Sequence, residues 1–139
     1  LQHGADVNTR DNNGVSPLFY AVGTHNLKLL RALIERGADV DVVSEANRMT
    51  PLLVAVENGD TAAAVLLLDH GANVNAGNQL GYSPLMAAAE AGQVAMVSLL
   101  LSRGANPRAR DQEGMDASTL ARKRGYREIV DLLAVAGSN

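Results

Sequence analysis

The 139-residue chain contains no cysteine and no tryptophan, a single phenylalanine and three tyrosines. The missing thiols exclude disulfides, thiolate metal sites and thiol nucleophiles together. With so few aromatics, any core must be built from aliphatic side chains. No apolar run reaches membrane-spanning length, so no membrane association is expected. The formal net charge is −3, which supplies no general attraction for nucleic acid. The absent cysteines favour an intracellular setting, cytoplasmic or nuclear. Hydrophobic residues still make up 47% of the chain, enough to bury a core at this length.

What is present is periodic. Gly4, Gly37, Gly71, Gly104 and Gly137 stand 33, 34, 33 and 33 residues apart, a spacing that marks a repeat array. Gly4-Ala5-Asp6-Val7-Asn8, Gly37-Ala38-Asp39-Val40-Asp41, Gly71-Ala72-Asn73-Val74-Asn75 and Gly104-Ala105-Asn106 recur in phase, and with them Ser16-Pro17-Leu18, Thr50-Pro51-Leu52 and Ser83-Pro84-Leu85. Ser16, Thr50, Ser83 and Asp116 carry the side-chain oxygens that cap helix starts, and prolines follow three of them, where a missing N–H costs nothing. A short first helix is expected to end near His25, Gly59, Gly92 and Gly125. A second helix then carries clustered aliphatics such as Leu29, Leu30, Leu33 and Ile34, or Val97, Leu99, Leu100 and Leu101. Gly37, Gly71, Gly104 and Gly137 are expected to close the second helices in the left-handed conformation. Ala21, Ala55, Ala87, Ala88 and Ala121 leave room for close stacking of the first helices.

This combination resembles the ankyrin repeat over nearly the whole chain. The resemblance implies an all-α solenoid of stacked helix-turn-helix units with hairpin fingers projecting to one side. The expected organisation is a single domain: a partial repeat at 1–10, repeats at 11–44, 45–77 and 78–110, and a C-terminal capping repeat at 111–139. The last unit replaces proline with Ala117 and carries many charges, which reads as a polar terminal cap. Leu1-Gln2-His3-Gly4 reads as the end of a second helix, so further repeats are expected upstream.

The resemblance also implies a role: a non-catalytic protein-interaction scaffold that binds a partner protein through its concave face and finger tips, with no cofactor, metal or small-molecule substrate. Val15, Met49, Tyr82 and Met115 lie just before the caps, where ankyrin arrays face outward at the finger base. They offer either anchors for a partner or packing between adjacent fingers. The neighbouring tip residues Asn12, Asn13, Asn47, Arg48 and Leu80 belong to the same candidate surface. So does a second row at the ends of the first helices, Glu57, Asn58, Glu90, Lys123 and Arg124.

Departures from the family pattern single out further residues. Arg48 stands where the finger usually carries glycine, and one residue is inserted near Ser44, so this finger should be longer, as a binding specialisation or as a neutral insertion. His25 replaces a turn glycine, and a left-handed histidine there costs on the order of 1 kcal/mol. Phe19, Leu53 and Met86 replace the family's histidine after Thr-Pro-Leu and substitute apolar packing for hydrogen bonds. His3 and His70 read as helix-end caps rather than metal ligands. Asn8 and Asn75 match a finger asparagine that is hydroxylated in some ankyrin arrays, or else simply stabilise turns.

Residues 103–139 hold seven basic and five acidic side chains, against five and ten in residues 1–102. Arg103, Arg108, Arg110, Arg122, Lys123, Arg124 and Arg127 either meet an acidic partner or form a solvated surface. Only Tyr126 is interleaved with them, which speaks against single-stranded nucleic acid. A supporting segment of a larger protein remains the rival to the scaffold reading. No Ser, His and Asp spacing implies a catalytic triad beyond what caps and turns explain.

Overall fold

The computed structural model describes residues 7–11 and 15–138. The described residues form eight α-helices and no strand. The chain divides into two compact units, Leu1–Asn73 and Val74–Asn139. The first unit holds α1 (Pro17–Gly23), α2 (Leu27–Glu35), α3 (Pro51–Glu57) and α4 (Thr61–Asp69). The second holds α5 (Pro84–Glu90), α6 (Val94–Ser102), α7 (Ala117–Lys123) and α8 (Arg127–Gly137).

Within each unit the helices pair in sequence and then stack by kind. In the first, α1 packs on α2 and α3 on α4, while α1 lies against α3 and α2 against α4. The second repeats the scheme, with α5 against α7 and α6 against α8. Seven-residue helices are too short to persist alone in water, so burial must hold them. Leu18, Val22, Leu30, Leu33, Leu52, Leu53 and Leu67 are buried in the first unit, and Leu85, Met86, Met96, Leu100, Ile129 and Leu133 in the second. Each such side chain contributes about 1.5–3 kcal/mol. The stacking alanines Ala21, Ala55, Ala87, Ala88 and Ala121 are all buried, which lets the first helices approach closely.

The helix starts follow the expected chemistry with one exception. The side chains of Thr50, Ser83 and Asp116 accept N–H bonds from Leu53, Met86 and Thr119. Met86 also takes part in its own helix start, its Sδ accepting the Ser83 N–H at 3.5 Å. Ser16 departs from this: its Oγ is buried and accepts no helix N–H, so Pro17 and the extended Ser16 backbone initiate α1 without a side-chain cap.

The helix ends also follow, again with one exception. His25, Gly59, Gly92 and Gly125 have φ of 58°, 68°, 75° and 78°, and the next residue's N–H bonds back onto the first helix, as from Asn26 to Ala21 and Gln93 to Ala88. Gly37, Gly71 and Gly104 close the second helices with φ of 90°, 90° and 92°. Gly137 corrects the series. It is the last residue of α8, which is capped by Ser138 with φ −89°. After Gly37, the Ala38 N–H reaches back to Leu33, whereas Ser138 bonds only to Val135, so no left-handed turn is needed. The apolar run before Gly137 carries α8 to eleven residues against nine in α2, α4 and α6. The charged residues of this last repeat, Arg122, Lys123, Arg124, Arg127, Glu128 and Asp131, are all exposed, and Ala134 and Val135 are exposed beside them.

One recurring side-chain position ties repeats together within each unit. Asn8 Oδ1 accepts the Asp39 N–H and Asp41 Oδ1 the Asn73 N–H, both at 2.8 Å. In the second unit Asn75 Oδ1 accepts the Asn106 N–H at 2.8 Å, while Nδ2 donates to the Gly104 carbonyl at 3.3 Å. Arg108 follows in the same series and donates Nη2 to the Gly137 carbonyl. Asn8 and Asn75 thus serve as bridges between repeats. His70 caps its helix as expected, with Nδ1 2.9 Å from the Leu66 carbonyl oxygen; His3 lies outside the described residues.

Candidate interaction surface

The fingers are tight turns, each built on the side chain at its base. Asn78 Oδ1 accepts the N–H groups of Leu80 at 2.8 Å and Tyr82 at 3.2 Å, and the Asn78 N–H bonds to the Tyr82 carbonyl. Asp111 does the same for Glu113 and Met115. Such side-chain-to-backbone bonds define the turn locally. The two fingers are also joined: Gln112 donates its backbone N–H to the Leu80 carbonyl at 2.9 Å and its Nε2 to the Gln79 carbonyl at 2.7 Å. Gly81 permits this approach, since a Cβ there would stand 3.3 Å from the Asp111 Cα, and its φ is +76°.

Leu80 projects from this braced backbone with 54% of its surface exposed. Tyr82 is half-buried and donates its hydroxyl to Glu90 Oε1 at 2.6 Å. On the other side of the same carboxylate, Arg124 Nη2 lies 4.0 Å from Oε2. Tyr82, Glu90 and Arg124 therefore form one chain from finger base to the ends of α5 and α7. The solvated Arg124 contact adds little stability but places a cation on the surface. Lys123 beside it is exposed, and Met115 is half-buried at the base of the next finger.

In the first unit, Asp11 pairs with Val15 in the same way, but the finger at residues 44–49 is built differently. The Ser44 N–H bonds to the Met49 carbonyl, so the turn spans one residue more than those at Asn78 and Asp111. Ser44 Oγ accepts the Met49 N–H and donates to Asn47 Oδ1. Arg48 takes φ +58° in the finger glycine's role, at about 1–2 kcal/mol of backbone strain for a residue with a Cβ. Arg48 and Asn47 are exposed, and Met49 and Val15 half-buried. Glu57 and Asn58 are exposed at the end of α3; partial burial raises the Glu57 carboxyl above its usual range. Asn12 and Asn13 lie outside the described residues.

Tyr20 is absent from the set that periodicity suggests. It is 54% exposed on α1 and donates its hydroxyl to the Asp11 carboxylate, which raises its pKa. Val54 and Ala87 occupy the same place in later repeats, so its signal is a tyrosine at an aliphatic position in a chain with few aromatics. The basic end is partly committed to local bonds. Arg108 holds Gly137, Arg122 donates to Ser118 Oγ and Arg124 faces Glu90.

A family model described as ankyrin repeats in three copies matches residues 1–78 and again 75–139. The chain belongs to the ankyrin repeat family. Ankyrin repeats are in general protein-interaction modules and non-catalytic. Over 71 residues, 51% of this chain, it is 44% identical to the B-cell lymphoma 3 protein homolog of Mus musculus, covering 16% of that protein. It is 35% identical over 71 residues, 51% of its length, to the human SMC5-SMC6 complex localization factor protein 1, covering 7% of it. To zygote-specific protein 3 of Chlamydomonas reinhardtii it is 39% identical over 80 residues, covering 58% of this chain and 21% of the relative. The ankyrin chain thus spans a small part of each relative. Among its described residues, no helix is long and apolar enough to cross a membrane.

Proposed function

We propose that this chain is a non-catalytic scaffold that binds a partner protein through its finger tips and first helices, without a cofactor and in an intracellular setting. Leu80 carries the reading. It is a large apolar side chain held out into solvent by a turn that both Asn78 and the neighbouring finger brace. An anchor ordered before binding loses little entropy on complex formation. Tyr82 and Met115 flank it, and Arg124 and Lys123 supply charge beside it. In the first unit, Met49, Arg48 and Tyr20 provide the corresponding contacts.

The test uses the folded chain as bait in a lysate of its native cells, beside a Met49→Ala, Leu80→Ala, Tyr82→Ala, Met115→Ala variant whose helicity is verified by circular dichroism. A partner retained by the first and lost by the second supports the surface. Loss of a single anchor at the centre of the contact is expected to cost about 2 kcal/mol of binding. A partner held equally by both refutes this location, and no specific partner for either favours the supporting-segment reading.

A further inference from the structure

A second surface lies between α6 and α8 and shares no lining residue with the fingers or the first helices. It is an open groove of about 440 Å³, floored by Leu101, Leu132, Val135 and Ala136 and edged by Glu128 and Asp131. Val135 is 66% exposed, more than any other large apolar side chain among the described residues. Residues 128, 132, 135 and 136 follow helical spacing and share one face of α8. The stripe from 128 to 136 is about 12 Å long, two helical turns. Glu128 and Asp131 are exposed, and neither forms an ion pair among the described residues. Arg122 and Arg127 line a neighbouring hollow with Tyr126, and Asp131 borders both.

We infer that this groove docks a basic amphipathic helix of a partner protein. Its apolar side chains, three or four residues apart, cover Leu101, Leu132 and Val135, while a lysine or arginine at one end meets Glu128 and Asp131. The charges select this occupant. A wholly apolar helix would strip water from two carboxylates without pairing them, and an acidic one would be repelled. A second copy related by two-fold symmetry would bring the same acidic edge to the contact and gather four carboxylates in one small interface.

The probe is a synthetic helical peptide with leucines at i, i+3, i+4 and i+7 and lysines elsewhere, titrated into the isotope-labelled full chain and followed by amide chemical shifts. A peptide with glutamates in place of the lysines is the control. Shifts are expected around Leu101, Leu132 and Val135 with the lysine peptide only. E128Q/D131N should weaken binding about tenfold, V135D should abolish it with an unchanged melting temperature, and L80A should leave it intact. E128K/D131K should reverse the preference toward the glutamate peptide, an outcome that misfolding cannot imitate. Equal binding of both peptides, shifts confined to the fingers, or a dimer in sedimentation that V135D dissociates would each overturn the inference.

Discussion

One joint between repeats is built in two ways. In the first unit His25, left-handed at φ 58°, sets its Nδ1 3.1 Å from Asp60 Oδ2. Asp60 also caps α4 by accepting the Ala63 N–H through Oδ1. In the second unit the matching positions are Gly92 and Tyr126. The tyrosine ring lies so close over Gly92 that a Cβ there would stand 2.9 Å from Cζ, and Tyr126 makes no side-chain cap on α8. The first joint accepts a strained backbone and gains a polar contact and a cap, whereas the second removes the strain with glycine and gains aromatic packing. A repeat architecture thus fixes the backbone path at such a joint and leaves open the chemistry that holds it.

Substitutions should separate the two solutions. Gly92→Val combines a β-branched side chain at φ +75° with displacement of the Tyr126 ring, and should cost about 3 kcal/mol in urea unfolding. A cost below 1 kcal/mol would mean the ring yields freely. Tyr126→Ala should cost about 2 kcal/mol through lost packing, and in that background Gly92→Ala should be milder than in the native chain. His25→Gly should stabilise by about 0.5 kcal/mol, since relief of left-handed strain outweighs an exposed contact. With Asp60→Asn already present, which keeps the cap, the gain should rise to about 1 kcal/mol. Identical gains in both backgrounds would remove any role for the His25–Asp60 contact.

The smallest effect concerns pH. Thr50 caps α3 with a hydroxyl, whereas Asp116 caps α7 with a carboxylate. Burial pushes the Asp116 pKa up, but the Thr119 hydrogen bonds and the charges of Arg110 and Arg122 outweigh it and leave the pKa lowered. A lowered folded-state pKa adds stability above the unfolded value, and this is lost as pH falls through the folded one. Asp116→Asn should therefore flatten the acid limb of stability against pH, while Thr50→Ser should leave its shape unchanged.

The backbone was largely legible in the sequence because its determinants are local. A cap followed by proline, or a residue placed for positive φ, acts within a few positions. The insertion near Ser44 and the left-handed placements of His25 and Arg48 follow from alignment of the repeats. Ser16 and Gly137 departed from the pattern because a residue type supplies a capability, and neighbouring bonds decide whether it is used. The surface was less legible. Tyr82, Glu90 and Arg124 meet across 42 residues of sequence, and nothing in their spacing joins them. Leu80 was already among the candidate tip residues, Tyr20 left only the signal of a tyrosine at an aliphatic position, and the groove beside Val135 was hidden because apolar residues at helical spacing usually signal core.

The ties made by Asn8, Asp41 and Asn75 have a consequence for how such a chain can change. Each grips a main-chain N–H, at Asp39, Asn73 and Asn106, a group that every residue except proline carries. The grip therefore makes no demand on the side chain it meets. A duplicated or exchanged repeat can be clasped on arrival, before any of its other residues have adapted, so the array can lengthen or be reshuffled while its exposed positions diverge independently.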